Sequence, residues 1–294
     1  MDLKQLQYFV AVVEEGTISA AAKKLFMSQP PLSTQMKLLE SELGCVLFAR
    51  GQRGIRLTEA GKQLYAKAKA LLEITRVTKE EMQEYAEAEA GTIRCGIVSS
   101  VVSPMATRWI AEFSSRHPKV GFSIYEANTY ELIEKLRSNI LHLAIVRTPY
   151  AAEGVTAEAL KTESLVAIGQ EAFFPAGRSV SLAALSALPV VLYRRWAAII
   201  ESEFDKAGLP LNCRCGCDDA RTAVALAKEG LGVGLVPASA TRQTDDPKVA
   251  VRQLEDCRIE SRIDLIYDEN AHSPSCAKEF RDYLLRRFGR AEEG

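Results

Sequence analysis

Residues 28–31, Ser-Gln-Pro-Pro, constrain the fold of this chain more tightly than any other stretch. Proline is tolerated in a helix only in its first turn, where the missing N–H has no partner to lose. Pro30 and Pro31 therefore mark a helix start, with Ser28 as its N-cap and the Ser28 hydroxyl free to accept a backbone N–H. Leu32, Met36, Leu39 and Leu43 then recur at spacings of four, three and four, one apolar stripe on an α-helix. The opposite face carries Gln29, Ser33, Thr34 and Lys37, short hydrogen-bonding side chains with one cation and no carboxylate. Such a face suits contact with something polar and anionic.

Two helices are expected ahead of this one. Leu3 to about Glu15 has Leu3, Leu6, Val10 and Val13 on one side and Gly16 at its end. Ile18 to Leu25 is short and alanine-rich, as two helices crossing at a tight turn require. A helix, a short turn and a second helix with a polar, acid-free face make a helix-turn-helix, whose later helix enters the major groove by its N-terminal residues. Gln29, Pro30 and Ser33 would then meet base edges. Past Gly44, the strand-like runs Val46–Ala49 and Ile55–Leu57 flank a turn at Gly51–Gly54, which reads as a wing. Arg50, Arg53 and Arg56 crowd it, in position for phosphates or a minor groove.

Thr58 caps the next helix, with Glu59 in its first turn where the dipole favours an anion. No proline follows until well past Glu89, so the helix is about 45 Å long at 1.5 Å per residue. Leu64, Ala68, Leu71, Thr75, Thr78, Met82 and Tyr85 form a seam along it. One small domain cannot cover so long a seam, which predicts pairing with a second copy through Leu64, Leu71, Met82 and Tyr85. Charge is divided accordingly. Residues 1–69 hold ten Lys/Arg against six Asp/Glu, residues 70–90 two against six, and the whole chain sums to -1.

At 294 residues and 47% hydrophobic, the chain can bury two or three cores. No secretion leader opens it and "YFVAVV" is too short to span a bilayer, so a cytoplasmic protein without a membrane partner is expected. Seven cysteines without regular spacing do not suggest a disulfide framework. Strand candidates at 92–98, 120–127, 143–146, 165–169, 189–194, 212–217, 232–237 and 262–268 alternate with helical stretches, an α/β pattern with a mostly parallel sheet. The expected domains are a winged helix-turn-helix (1–57), a linker and dimerisation helix (58–90) and an α/β domain (91–294).

The run "LQYFVAVVEEGTISAAAKKLFMSQPPLSTQMKLLESELGCVLFAR" followed by "RLTEAG" resembles the N-terminal pattern of the LysR-type transcriptional regulators almost position by position. "GTIRCGIV", "ALAKEGLGVGLVP" and a final helix extend the resemblance more loosely to the end of the chain. It implies a DNA-binding head, a dimerising linker helix and a two-lobed effector domain similar to periplasmic solute-binding proteins. The lobes would comprise about 91–162 with 267–294, and about 163–266. It also implies a small metabolite bound between them, a dimer of dimers, and an operator of interrupted dyad symmetry. No cofactor and no metal is implied. By the resemblance, Pro30 also packs apolar surface against bases, and Ser99, Ser100 and Thr129 line the effector cleft.

A doubly wound sheet places its ligand at the C-terminal ends of its strands. Ser99-Ser100 follow the first strand, ahead of a helix expected near Ser103-Pro104, and Asn128-Thr129 follow the second. Hydroxyls and helix N-terminal N–H groups there would cradle a carboxylate, with Arg147 after the third strand as a possible fork. Tyr193, Arg194 and Trp196 follow a strand of the second lobe, and Asp218-Asp219 cap the helix after them. The expected effector is thus a small carboxylate, an anion.

"CRCGC" offers one rival, a thiol- or metal-responsive regulator acting through Cys213, Cys215 and Cys217, which a strand would turn to one face. His117, His142 and His272 show no metal spacing with them. A second rival is a solute-binding module that keeps an inactive DNA-binding head. An enzyme is rejected. The chain has no G-x-S-x-G, P-loop or H-E-x-x-H, and "GLGVG" follows a helix and precedes a strand, the reverse of the dinucleotide fingerprint.

Overall fold

In the computed structural model, which describes residues 1–51, 54–87, 91–241, 246–271 and 273–289, Met1–Ala88 and Glu89–Gly294 form two separate units. The first begins with helix α1 (Leu3–Glu15) on a capping box: Asp2 accepts the Gln5 N–H at 2.7 Å and Gln5 accepts the Asp2 N–H at 3.1 Å. Gly16, at φ +68°, ends it in a left-handed conformation that glycine adopts without penalty. Helix α2 (Ile18–Lys24) is capped by Thr17, which accepts the Ala20 N–H at 3.1 Å. The buried Ala21 and Ala22 let α2 approach its neighbours closely. Helix α3 (Gln29–Leu43) follows, then a hairpin of β1 (Phe48–Gly51) and β2 (Gly54–Leu57), and the 29-residue helix α4 (Glu59–Glu87).

The core of this unit is Leu6, Phe9 and Val12 of α1, Leu32, Met36 and Leu39 of α3, Leu47 and Ala68. Its α1 stripe is rotated from the expected one. Leu3 is exposed, while Val10 and Val13 pack only at the edge. Leu43 was expected in the core but is 37% exposed. Its azimuth matches Leu32, so the exposure reflects its place in the last helical turn before Gly44. Glu40 ties the wing to α3 by accepting the Leu47 and Phe48 N–H groups at 2.7 and 3.2 Å. Gly61 is required where α4 leaves the wing, because a Cβ there would lie 2.2 Å from the Leu47 carbonyl oxygen.

The second unit has two apolar cores. In lobe I, β3 (Thr92–Ile97) lies parallel to β4 (Gly121–Glu126) and β5 (Leu143–Arg147). The chain between β3 and β4 forms a short turn α5 (Ser99–Val101), a π turn (Val102–Ala106) and α6 (Thr107–Arg116), so helical structure starts at Ser99 rather than near Ser103. Helix α7 (Thr129–Arg137) follows β4. A 15-residue strand, β6 (Thr156–Gln170), then leaves lobe I for lobe II.

Lobe II contains β7 (Ser179–Val180), α8 (Leu182–Ser186), β8 (Val190–Tyr193), α9 (Ala197–Lys206), β9 (Cys213–Cys217), α10 (Ala220–Lys228), β10 (Val233–Pro237) and β11 (Val249–Leu254). Strand β12 (Glu260–Tyr267) returns the chain to lobe I, which α11 (Ser275–Gly289) completes. The strand order is β4-β3-β5-β12-β6-β10-β8-β9. Strands β8, β9 and β10 pair in parallel, but β6 and β12 run antiparallel to their neighbours, so the sheet is mixed. Ile263, Leu265 and Ile266 belong to the lobe I core, and Ile259 to that of lobe II. The second crossing therefore falls at 259–263, ahead of the expected 266/267.

Candidate nucleic-acid interface and ligand cleft

Ser28 has the extended backbone of an N-cap, yet its hydroxyl makes no capping bond. An N-cap oxygen accepts from the second or third helical N–H. In α3 those positions are Pro30 and Pro31, so the donor does not exist, which corrects the expected cap. For the same reason α3 offers few backbone N–H groups to a phosphate, and any recognition at its N-terminus falls to side chains.

Those side chains stand in the solvent. Gln29, Pro30, Thr34 and Lys37 are exposed and Ser33 is half-buried. Gln29 is steadied by the Ser19 hydroxyl, which donates to its Oε1 at 3.0 Å across the α2–α3 junction. Thr34 donates its proton to the Pro30 carbonyl at 3.0 Å and so presents its remaining surface outward. Arg56 is exposed on β2. Arg53 and the side chain of Arg50 lie outside the described residues.

Along α4, Leu71 and Met82 are 43% and 55% exposed, with Ile74 exposed between them. Leu64 differs, packing with Ala68 and Leu72 against the core of its own unit. The Tyr85 side chain lies outside the description.

In the second unit, a cavity of ≈ 600 Å³ opens at the C-terminal ends of five strands. Lobe I contributes Val98 and Ser99 after β3, Glu126, Ala127, Asn128 and Tyr130 around the end of β4, and Pro149 beyond β5; lobe II contributes Tyr193 and Arg195 after β8, and Asp218 and Asp219 after β9. Of the residues singled out from the sequence, Ser99, Asn128, Tyr193, Asp218 and Asp219 line it directly. Ser100 and Thr129 are buried one layer behind, their hydroxyl oxygens accepting from arginines.

Arg147 is not the expected fork, which is a correction. It is fully buried, and all five of its N–H groups are spent. Its Nε donates to the Ser100 hydroxyl at 3.1 Å, and Nη1 to Glu163 and the Ser261 hydroxyl, both at 2.6 Å. Its Nη2 donates to the Ser239 hydroxyl at 3.1 Å and the Ser100 carbonyl at 3.5 Å. Glu163 also accepts from the Ser239 backbone and hydroxyl. Burial pushes the Arg147 pKa down, opposed by the Glu163 carboxylate. The pair welds the strand crossing to both lobes and leaves no donor for a ligand.

The cation at the cleft is Arg195. A 3-10 turn over Arg194–Trp196 sends Arg194 outward to Asp218, Trp196 into the lobe II core and Arg195 across to lobe I. Its Nη2 donates to the Thr129 hydroxyl at 2.8 Å and to the Arg147 and Pro149 carbonyls, and its Nε to the Thr148 carbonyl at 3.4 Å. Its Nη1 makes no hydrogen bond among the described residues. In sequence, Tyr193, Arg194 and Trp196 attract notice, but strand alternation ends at Tyr193 and does not say which arginine turns inward.

The cleft also carries carboxylates. Glu126 and Asp219 share Arg221, at 2.6 and 2.8 Å, and Asp219 caps α10. Burial alone would raise the Asp219 pKa, but hydrogen bonds from Arg221 and Ser99 hold it below the usual carboxylate range.

The cysteines of β9 do not share one environment. Cys213 is exposed, Cys215 half-buried and Cys217 buried, and an irregularity opposite Val190/Val191 leaves Arg214 unpaired. That break removes the alternation on which a common face depended. Burial raises the Cys217 pKa, favouring the protonated thiol. Among the described residues, no group of three or more His, Cys, Asp or Glu is arranged to hold a metal ion. His272 lies outside them.

Residues 3–62 match the family described as "Bacterial regulatory helix-turn-helix protein, lysR family", and residues 86–289 match the LysR substrate binding domain. The HTH-type transcriptional regulator BsdA of Bacillus subtilis (strain 168) is 31% identical over 246 residues, 81% of this chain and 84% of that one. TfdS of Cupriavidus pinatubonensis is 29% identical over 98% of this chain and 99% of its own. Among solved structures, CbnR, a LysR family transcriptional regulator, matches with a TM-score of 0.81 at 26% identity, covering 98% of this chain and 99% of that one. Full-length CbnR in complex with its target DNA gives 0.78 at 26% identity, covering 97% and 99%.

Proposed function

This chain belongs to the LysR family, and from that premise we propose how its two units serve an effector-responsive, DNA-binding regulator of transcription. The first unit reads an operator of interrupted dyad symmetry, with Gln29, Pro30, Ser33, Thr34 and Lys37 in the major groove and Arg50 and Arg53 on phosphates. Two copies pair along α4 through Leu71 and Met82, extended by Tyr85, and two such dimers assemble on DNA. The neighbour bound to its target DNA supports the DNA partner. The protein regulates rather than catalyses, as its relatives are named to do, and works in the cytoplasm beside that DNA. No described helix is long and apolar enough to cross a membrane.

The effector is a small monocarboxylate whose far end is neutral or cationic. The observation that carries this is Arg195, which lines the cleft and whose Nη1 makes no hydrogen bond among the described residues, while its Nε and Nη2 are held. Glu126, Asp218 and Asp219 on the cleft wall already occupy Arg221 and Arg194, so that wall offers a second carboxylate no uncommitted cation among the described residues. A thermal-shift screen of mono- and dicarboxylates finds the ligand, because one at a hundred times its Kd adds about 2.7 kcal/mol of stability. Arg195→Met then removes a charge-assisted hydrogen bond of about 1.5–3 kcal/mol, weakening a calorimetric titration roughly tenfold to more than a hundredfold. DNA affinity without effector stays unchanged. A dicarboxylate or sugar as the strongest ligand, or parental affinity in Arg195→Met, would overturn the assignment.

A further inference from the structure

The turn between α2 and α3 carries an apolar side chain that nothing in its own unit covers. Phe26 is 98% exposed, whereas the next most exposed large apolar residues among those described, Val46 and Tyr130, stand at 62%. Its backbone adopts φ +53°, a left-handed conformation unfavourable for a bulky side chain. The other described non-glycine residue with positive φ is Asn139, of a type that tolerates it. Phe26 is thus neither a good turn residue nor a packed one, and stability alone does not account for it. The turn itself is well held: the Phe26 N–H donates to the Lys23 carbonyl at 3.1 Å, and the Met27 N–H to the Ala22 carbonyl at 3.0 Å. The ring therefore projects from a fixed base, two residues ahead of the Ser28 N-cap.

That base lies beside the end of α3 that a helix-turn-helix inserts into the major groove. A residue just outside the inserted helix meets the groove's wall rather than its floor, and the wall is deoxyribose and phosphate. Of these only deoxyribose offers the C–H surface a phenyl ring can cover. The exposed Lys23 on one side, and the exposed Gln29 and Pro30 on the other, continue the same polar, acid-free surface around the ring.

We infer that Phe26 packs against deoxyribose on the strand bordering the groove, adding a grip independent of both salt and base sequence. The inference rests on the DNA-binding reading of the α3 face. Its test uses the full-length protein and a duplex selected from a random library by the parent, with an unrelated duplex beside it. Phe26→Asn suits the left-handed turn, so its melting temperature is expected to equal or exceed the parent's. Its affinity for both duplexes should fall about tenfold, with an unchanged slope of affinity against salt, and Phe26→Tyr should recover most of the loss. Affinity equal to the parent's, a loss confined to one base pair, an altered salt slope, or a lowered melting temperature would each overturn the contact. Failure of the parent to select any duplex would instead sink the reading of the α3 face.

Discussion

Ser28 and Thr17 begin successive helices with the same kind of side chain, yet only one of them has a donor to accept from. Thr17 accepts the Ala20 N–H at 3.1 Å, whereas the Ser28 hydroxyl faces two prolines. Thr17→Ala should therefore cost about 1 kcal/mol, in the usual range for a lost cap, while Ser28→Ala should stay within about 0.5 kcal/mol. Denaturant titrations of the two variants check this, and equal losses would contradict it. The same scale shows what a residue's neighbours in sequence can and cannot reveal. Pro30 and Pro31 announced a helix start, but the consequence for Ser28 needed the positions counted. Arg147 was placed correctly at a strand end, but its partner Glu163 lies on a strand segment with no apolar signal, so the ion pair was hidden. Arg195 stands between Arg194 and Trp196 with no pattern in the sequence to single it out.

Among the elements, those with one buried face were readable and those shared between environments were not. Helix α1 matches its expected ends because its cap and Gly16 are both local. Strand β6 runs over Thr156–Gln170, but only its last third is continuously buried, and that part alone was legible as 165–169. Strand β11 has no apolar face to announce it, because Arg252 shares its inner face with Ala250 while Val251 is exposed on the other. Helix α4 combines both cases, since its seam is packed near its start and exposed further along. Leu64 is packed within its own unit, while Leu71 is 43% exposed. Leu71→Asp should leave the melting temperature nearly unchanged but shift sedimentation towards monomer, because a charge would be buried at the interface between copies. Leu64→Ala should do the reverse, lowering the melting temperature without dissociating the protein. A fully dimeric Leu71→Asp would show that the exposed seam is not the contact.

Across the second unit, lobe II reaches lobe I through two arginines of unequal standing. Arg195 is half-buried and spreads donors over Thr129 and three carbonyls, whereas Arg221 meets Glu126 with side-chain exposures of 56% and 39%. A solvent-exposed pair contributes about 0.2–1 kcal/mol and is screened by salt. If the effector binds best when the lobes are closed, losing that pair lowers the closed population by no more than about fivefold, and apparent affinity falls with it. Arg221→Ala should therefore weaken effector binding by up to about fivefold at low salt and by less as salt rises. The larger loss expected for Arg195→Met should fall less with salt, because most of its contacts are part-buried. Calorimetric titrations of both variants across ionic strength separate the two. Tighter binding by Arg221→Ala would mean that the pair holds the lobes in a geometry the effector must break, reversing the direction of the switch.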